Sequence, residues 1–461
     1  MTLSFKTLRA KHSSLRYRGY SIKRCDTQVK VTFHLLLEPS IEFNPTLVFD
    51  APGVSNERLA PYLFNLGMVE TISYWKASCP RKVIVENAPI SDEQRVWWHD
   101  LFINGLGEFF FQNDIDPSDA SLLTIEASSR GPTSAAPSKN NSATGELVLV
   151  AGGKDSSLSL ELLKILDPSA RREVLILNPN RSSLESASIA GYPSPITVHR
   201  TIDKNLLALN SQGYLNGHTP FSAYLAFLGT MVAEIRGLGS VIVSNEQSAN
   251  EGNAVFHGLT VNHQYSKGLR FERQFREYIG RELAGGATYY SLIRPLFDLQ
   301  VSALFAHVAP HHLSSFRSCN VGQREDRWCA RCPKCAFVGL TLAPFIPHTR
   351  HADIFGAGFF NSPQIIQHIE ELTGLRKHKP FECVGTVSES RDALVLTLER
   401  YEQERIPTPA GLSIIEKALA AQGHLPTLQQ ARSTLQSWCD DHELPLKYAQ
   451  TLRSLIENLP L

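Results

Sequence analysis

No run of 18 consecutive apolar residues occurs in this sequence, so it predicts no membrane-spanning helix. The first residues, Met1–Ala10, also lack the long apolar core of a signal peptide. Charge of one sign is not in excess, because 45 Lys and Arg side chains balance 45 Asp and Glu side chains. Without a basic stripe or an acidic tail, we expect no nucleic-acid partner and no membrane partner. The composition favours a cytoplasmic protein.

Cysteine is too sparse here to build a disulfide scaffold. The 461 residues contain eight cysteines and no secretion signal that would favour disulfide formation. Internal repeats are lacking too, which argues against a solenoid. The length is enough for two or three domains with a sizeable core.

One segment lacks both hydrophobic periodicity and large apolar side chains. Residues 128–145 are rich in Ser, Ala, Pro and Asn, a composition typical of a flexible linker. It follows a predicted N-terminal α+β domain, residues 1–127. Strand and helix patterns alternate over residues 146–345, which favours an α/β fold with a mostly parallel sheet. Residues 346–461 show mostly helical spacing.

Hydrophobic periodicity places the main elements. Before the linker, Val29–Leu37 and Thr46–Phe49 are predicted strands, and Trp97–Phe111 is a predicted apolar helix whose aromatics we expect in a core or a domain interface. After the linker, the predicted strands are Glu146–Val150, Glu173–Leu177, Pro195–His199, Val241–Ser244 and Tyr289–Arg294. The predicted helices after the linker are Ser156–Leu166, Pro220–Arg236, Asp298–His307, Leu428–His442 and Lys447–Leu459.

A glycine-rich turn joins the first strand of the alternating segment to its helix. Glycines there let the backbone approach an anion, and the N–H groups at the helix start can hold it. Lys154 adds a mobile positive charge, and Asp155 is better suited to Mg²⁺ than to phosphate. The predicted nucleotide contacts of this turn are Gly152, Gly153, Lys154, Asp155 and Ser156.

This turn is not a Walker loop, which needs the pattern G-x-x-x-x-G-K-[ST]. It resembles the Ser-Gly-Gly-x-Asp-Ser loop of the PP-loop ATP pyrophosphatases, with Ala151 where that family usually has Ser. The resemblance implies a PP-loop (HUP-like) ATP-binding domain that splits ATP into AMP and pyrophosphate. An ordinary glycine-rich strand–helix turn is the alternative interpretation.

Half of the cysteines fall within one short segment. Cys319, Cys329, Cys332 and Cys335 have the spacing C-x9-C-x2-C-x2-C. Four thiolates suit a tetrahedral Zn²⁺, and a closed four-cysteine site implies a structural ion. An iron–sulfur cluster and a set of free thiols remain the alternatives.

Polar side chains are concentrated in several other motifs, which lie at predicted strand ends or in turns. Because ligands of such sheets bind at the carboxyl ends of the strands, these side chains are candidates for a site. The candidate nucleotide contacts among them are Asn245, Glu246 and Arg294. The candidate proton carriers are His218, Glu251, His263, Glu382 and Cys383. Each of these motifs can also be a solvated loop or, for Cys383, buried packing.

Taken together and in order, these motifs resemble the UDP-N-acetylmuramoyl-L-alanyl-L-glutamate epimerases. The resemblance extends from about residue 146 to about residue 390, with weaker similarity at Asn65–Lys76. The motifs that carry it are Gly152–Ser156, Asn216–His218, Ser244–Gly252, Val261–Lys267, Arg294–Leu296, Ser318–Asn320, Arg327–Cys329, Cys332–Cys335 and Lys379–Gly385. It implies that ATP and Mg²⁺ are used to convert the terminal L-Glu of UDP-MurNAc-L-Ala-L-Glu to D-Glu in peptidoglycan precursor synthesis.

Two other enzyme classes remain open at this point. Enzymes resembling 7-cyano-7-deazaguanine synthase also join the phosphate loop to a four-cysteine zinc site, but they are usually much shorter than this chain. A tRNA-thiolating enzyme is disfavoured by the balanced charge. A non-enzymatic ATP-binding module is the least favoured interpretation, because the polar motifs are so concentrated.

Overall fold

The computed structural model describes residues 3–86, 88–127, 143–283, 286–322 and 325–459. Residues 128–142 of the predicted linker lie outside these ranges, so its flexibility stays a prediction. Within the described ranges, no helix is both long enough and apolar enough to cross a membrane.

The fold is mixed α/β, with a large sheet and a helical C-terminal region. The strands are β1 (Ser14–Cys25), β2 (Gln28–Leu37), β3 (Ile41–Phe43), β4 (Thr46–Asp50), β5 (Lys82–Val85), β6 (Thr124–Ala127), β7 (Glu146–Leu149), β8 (Arg172–Leu177), β9 (Ile196–Thr201), β10 (Ser240–Val243), β11 (Ala254–Phe256), β12 (Leu259–Val261) and β13 (Thr288–Ser291). The helices are α1 (Phe5–Lys11), α2 (Asn56–Trp75), α3 (Asp92–Gly105), α4 (Gly107–Gln112), α5 (Lys154–Leu166), α6 (Arg181–Ile189), α7 (Lys204–Ser211), α8 (Phe221–Arg236), α9 (Leu269–Glu282), α10 (Asp298–Val308), α11 (Pro333–Leu342), α12 (His348–Phe355), α13 (Pro363–Leu372), α14 (Val387–Gln403), α15 (Ala410–Ala421), α16 (Leu428–Leu435) and α17 (Leu446–Glu457).

Most of the predicted elements are confirmed, with ends that shift by a few residues, but two predicted helices are wrong in extent. The segment Trp97–Phe111 is not one helix, because Leu106 leaves the helical conformation and separates α3 from α4. The predicted helix Leu428–His442 ends at Leu435. Beyond it, the N–H of Cys439 donates to the carbonyl of Pro295, a tertiary contact that a continued helix could not make.

The described chain divides into two compact units that are each assembled from separate segments. The first unit comprises Met1–Leu147, Thr197–Val241 and Ala254–Tyr289, and the second comprises Val148–Ile196, Ile242–Asn253 and Tyr290–Leu461. Tertiary contacts alone define these groupings, so the sequence does not reveal them. The domain boundaries expected from the sequence stay predictions.

The first unit contains a sheet region with the strand order β9–β4–β2–β1–β5–β6, and β3 also pairs with β2. Strands β1 and β2 form an antiparallel hairpin, and Asp26 in its turn has a φ of 51°, a conformation that Asp tolerates better than most residues. Strand β2 begins with buried and exposed residues in alternation, as expected when one sheet face covers a core. Helix α2 covers this sheet closely, because a Cβ at Gly67 would lie 2.0 Å from the hydroxyl of Tyr17.

The aromatic side chains of α3 lie in the core of the first unit, as expected. Trp98 is fully buried and stacks on Phe227 of α8 with ring centroids 5.5 Å apart. Its indole N–H donates to the Tyr278 hydroxyl at 3.2 Å, so the buried polar atom has a partner. These contacts join α3, α8 and α9 into one hydrophobic cluster.

The other strands of the large sheet follow in the order β13–β10–β7–β8, of which β8 lies wholly in the second unit. The backbone N–H of Thr288 donates to Gly239 and that of Leu292 donates to Val243, so β10 and β13 run in the same direction. This pair confirms part of the predicted parallel sheet. Helices α5, α10, α11 and α14 supply a continuous apolar core that extends through the C-terminal helices to α17.

Candidate functional site

The predicted phosphate loop lies in the second unit, between β7 and α5. Gly152 has a φ of +82°, and a Cβ there would lie 2.5 Å from the backbone nitrogen of Ser183. Gly153 directly precedes α5 and provides no side-chain cap. A Cβ at Gly153 would lie 3.0 Å from the hydroxyl oxygen of Ser318, which is 3.4 Å from the backbone nitrogen of Lys154. The turn is therefore a closely packed strand–helix junction, and phosphate binding at it stays a prediction.

Lys154 is not the mobile surface charge that the sequence suggests. Its side chain is 1% exposed, and its ammonium lies 2.5 Å from Asp155 and 2.6 Å from Asp298. Burial by itself would lower the pKa of Lys154, but the charges of the two carboxylates outweigh burial and raise that pKa. Lys154 is therefore a fixed cation at the start of α5.

Asp298 is a residue of this site that the sequence analysis missed. It begins α10, where an acidic residue is ordinarily explained by the helix dipole, so the sequence carried no separate signal. Its backbone N–H donates to the Ser248 hydroxyl at 3.0 Å. Buried Glu389 accepts from the N–H of Leu299 at 2.9 Å, and burial together with the charge of Asp298 raises the pKa of Glu389. The fixed cation thus belongs to a buried network of carboxylates.

The polar loop after β10 is held by buried hydrogen bonds. The N–H of Asn245 donates to the Ser291 hydroxyl at 2.6 Å, and that hydroxyl donates to the carbonyl of Asn245 at 2.6 Å. Arg294 is fully buried and donates to the carbonyl of Glu246 at 2.8 Å. These contacts fix the backbone of the loop. Nucleotide contacts by Asn245, Glu246 and Arg294 stay predictions.

The segment Lys379–Gly385 lies against the same loop. Glu251 accepts from the ammonium of Lys379 at 3.0 Å and from the N–H of Val387 at 3.2 Å, at the start of α14. Asn253 donates to the carbonyl of Pro380 at 2.8 Å. Two motifs that are distant in sequence are therefore brought together within the second unit.

Glu382 and Cys383 have separate partners. Glu382 accepts from the side-chain amide of Asn320 at 2.7 Å, and the carbonyl of Cys383 accepts from the ammonium of Lys334. Both partners belong to the four-cysteine segment. The role of Glu382 and Cys383 as proton carriers stays a prediction.

The four cysteines predicted to bind metal are brought together in the second unit. The Sγ atoms of Cys319 and Cys332 are 3.9 Å apart, and those of Cys329 and Cys335 are 3.6 Å apart. A tetrahedron with metal–sulfur bonds of about 2.3 Å has edges of about 3.8 Å, so the thiols fit one zinc-sized ion. An iron–sulfur cluster fits less well, because its thiolates bind different iron atoms and lie farther apart. The N–H of Gly322 donates to the Cys319 sulfur at 3.1 Å, a contact that supports a thiolate.

The first unit contains a second cluster of titratable groups. His218 and His263 have ring centroids 4.3 Å apart, and both approach the carboxylate of Glu108. Nδ1 of His263 is hydrogen bonded to Oε2 of Glu108, while Nδ1 of His218 lies 3.6 Å from the same oxygen. Glu108 was missed, although an acidic residue inside the apolar run of α4 was an available signal, because such residues are rarely buried without a partner.

Positive charge surrounds this second cluster. Burial is the main cause that lowers the pKa of His218 to about 3, and the neighbouring His263, Lys76 and Lys267 lower it further. Burial likewise lowers the pKa of Lys76 to about 8, and the Lys76 ammonium donates to the carbonyl of Gly217. His218 is therefore a neutral imidazole at physiological pH.

Comparison with known proteins gives consistent matches along the chain. The model of the MurL N-terminal domain matches residues 6–292, and that of the MurL C-terminal domain matches residues 313–423. Relatives named UDP-N-acetyl-alpha-D-muramoyl-L-alanyl-L-glutamate epimerase occur in three bacteria. The Micromonospora sp. relative is 34% identical over 395 residues, which cover 84% of each chain. The Xanthomonas oryzae relative is 33% identical over 78% of this chain and 79% of its own. The Salinispora tropica relative is 32% identical over 90% of each chain.

Proposed function

This chain belongs to the MurL family of epimerases, and from that premise we propose that it converts the terminal L-Glu of UDP-MurNAc-L-Ala-L-Glu to D-Glu with consumption of ATP. In the proposed sequence, an oxygen of the glutamate α-carboxylate attacks the α-phosphorus of ATP, and pyrophosphate leaves. The α-proton is then removed, and a proton from another group or from water is delivered to the opposite face. Water cleaves the acyl–phosphate bond, which releases AMP and the D-Glu epimer.

The observation that carries this proposal is the pair of family matches together with the relatives' shared name. Those relatives match this chain over both family domains, so the likeness is not confined to one motif. An epimerase is an isomerase, which fixes the class of chemistry. The nucleotide requirement rests on separate grounds.

The physical need for activation supports the use of ATP. The two epimers are close in free energy, so ATP is not needed to drive the equilibrium. Removing a proton beside an ionised carboxylate creates a second negative charge next to the first, which makes the barrier high. An acyl–adenylate has lost the carboxylate charge, so its α-proton is far more acidic.

The phosphate loop supplies suitable groups for this step. The positive φ of Gly152 turns the backbone into α5, and the short Cβ distances indicate that both glycines let this loop pack against Ser183 and Ser318. The N–H groups at the start of α5 would hold the phosphate. Lys154 would face the phosphate charge and Asp155 would hold Mg²⁺, which neutralises the phosphates when it is bound. In the structure Lys154 pairs with Asp155 and Asp298, so we expect phosphate and Mg²⁺ to exchange these partners. This arrangement supports a PP-loop assignment for the second unit.

The four cysteines would play a structural part in the proposed enzyme. Their close spacing leaves no ligand position for substrate, and the ion would hold the Cys319–Cys335 segment together. Asn320 and Lys334 of that segment contact the Glu382–Cys383 turn, so the ion would also support that turn.

The proposal is tested by incubating the purified protein with UDP-MurNAc-L-Ala-L-Glu and Mg²⁺, with and without ATP, in D₂O. We expect D-Glu after hydrolysis of the product, AMP in equal amount, and deuterium at the α-carbon only when ATP is present. ADP in place of AMP would contradict adenylation. Absence of D-Glu under all conditions would contradict the epimerase proposal itself.

A further inference from the structure

The carboxylate of Glu108 is held at both of its oxygens. Oε1 accepts from the side-chain amide of Gln112 at 2.7 Å, and Oε2 is hydrogen bonded to Nδ1 of His263. We propose that Glu108 is a positioning residue that holds His263 as the proton-transferring group for one face of the substrate's α-carbon. The proposal rests on the proposed function.

The hydrogen bond to Glu108 determines which nitrogen of His263 carries the proton. An ionised carboxylate only accepts hydrogen bonds, so Nδ1 of His263 must be the donor. The neutral ring then has its lone pair on Nε2, which is the atom able to take a proton. Glu108 would also stabilise the imidazolium that forms when Nε2 takes the α-proton.

The surrounding backbone fixes this pair in place. Helix α4 packs on β12, where a Cβ at Gly107 would lie 3.6 Å from Val261. His263 follows β12 in a turn in which the side-chain oxygen of Asn262 accepts from the N–H of Gln264 at 2.7 Å. The carboxylate is therefore carried by a packed helix and the imidazole by a hydrogen-bonded turn directly after β12, which limits their movement as preorganised proton transfer requires.

His218 cannot serve the opposite face of the same carbon. Its ring centroid is only 4.3 Å from that of His263. A carbon atom held between two rings must be in van der Waals contact with each of them. The two rings would then lie at least about 7 Å apart, which is twice the usual contact distance of about 3.5 Å. The two imidazoles therefore lie on one side of any bound substrate. The proton for the other face must come from another group or from water.

The charges around the cluster favour a substrate anion over a metal ion. One carboxylate, Glu108, faces the two imidazoles and the cations Lys76 and Lys267, which act on His218. Excess positive charge repels a divalent cation. The same charge stabilises the negative charge that develops on the substrate when its α-proton leaves. Proton transfer therefore suits this cluster better than metal binding.

The first test replaces Glu108 with Gln, which keeps the shape but removes the charge. We expect epimerisation and α-deuterium incorporation in D₂O to fall about 100-fold or more, because a positioned proton-transfer group contributes about 100- to 10,000-fold. AMP formation should fall much less, and the acidic limb of the pH–rate profile should move to lower pH. Glu371→Gln is the matched control, because it removes a carboxylate from another histidine pair, Glu371–His368 at 2.8 Å.

Two outcomes of this test would overturn the proposal. One is that the Glu108→Gln variant exchanges the α-proton at a rate within twofold of that of the unaltered chain. The other is that the variant loses AMP formation and α-proton exchange to the same extent. Failure of the unaltered chain to make D-Glu would instead count against the proposed function.

A second measurement does not depend on activity or on folding of the variant. ¹⁵N NMR of the histidine-labelled protein, with His263→Gln to assign the signal, reports the tautomer of His263 directly. We expect the Nδ1–H form in the unaltered protein. The Nε2–H form would overturn the proposal whatever the kinetics show.

Discussion

The ammonium of Lys154 lies 2.6 Å from Oδ1 of Asp298, and both side chains are 1% exposed. The two residues begin different helices, α5 and α10, so this ion pair ties the phosphate loop to the helix that follows β13. A buried pair of this kind is costly to break, because the remaining charge stays out of water.

Asp298→Asn should therefore lower the free energy of unfolding. Lys154 keeps Asp155 as a partner, so we expect a loss of about 3 kcal/mol, at the lower end of the range for broken buried pairs. Urea unfolding monitored by circular dichroism measures it. The control Asp353→Asn removes an exposed carboxylate 3.9 Å from Arg350 and should cost less than about 0.5 kcal/mol. Equal losses of unfolding free energy in Asp298→Asn and Asp353→Asn would contradict a stabilising role for the Lys154–Asp298 pair.

Lys154→Gln should reduce AMP formation and epimerisation together. If Lys154 faces the phosphate charge that develops during adenylation, its loss should cost about 100- to 1,000-fold in both rates. Lys164→Gln on the same helix is the control, because that side chain is 39% exposed and pairs with Glu161. Retention of AMP formation without epimerisation would place Lys154 outside the adenylation step.

Asp155→Asn should raise the Mg²⁺ concentration needed for half-maximal turnover.

The four-cysteine site should contain one zinc ion per chain. Mass spectrometry of the purified protein measures the stoichiometry. Cys329→Ser should release the ion and lower the melting temperature, because structural zinc contributes directly to folding. Cys25→Ser changes an exposed cysteine of β1 and should alter neither the zinc content nor the melting temperature. Protein that contains neither zinc nor iron would end the assignment, and iron with labile sulfide would favour the cluster instead.

His351 should make the protein less stable as the pH falls below neutrality. It is buried, its Nε2 donates to the carbonyl of Gly339 at 3.0 Å, and burial lowers its pKa to about 4. The unfolded chain, with a histidine pKa near 6.5, therefore binds more protons below that pH. Stability should fall from pH 6.5 towards pH 4, by about 1.4 kcal/mol per pH unit for this group.

The contribution is isolated by comparing urea unfolding at pH 7 and pH 5 for the unaltered chain and His351→Gln. Between pH 7 and pH 5, the free energy of unfolding should fall by about 2 kcal/mol less in the variant than in the unaltered chain, because the variant has no imidazole to protonate. His424→Gln, at an exposed position, should behave like the unaltered chain. An identical pH dependence for His351→Gln would show that folding does not change the pKa of His351.

The sequence by itself determined the strands, most of the helices and the local motifs. Glycine at 152 and 153, the four-cysteine spacing and the alternation of β7, α5 and β8 are local patterns, and the structure places them as expected. Local patterns succeed because φ, hydrophobic periodicity and ligand spacing depend on neighbouring residues. The same reasoning failed at Leu106, which leaves the helical conformation, and beyond Leu435, where Cys439 makes a tertiary contact to Pro295 instead of continuing the helix.

Only the tertiary structure decided which charged groups face one another. The sequence proposed Lys154, His218 and His263, but their carboxylate partners Asp298 and Glu108 are supplied by separate elements of the same units. It also suggested that Lys154 was mobile, whereas burial between two carboxylates fixes it. Ion pairs act through space over a few ångströms, and no spacing along a chain encodes which distant carboxylate will lie there. The fold alone brings those partners together.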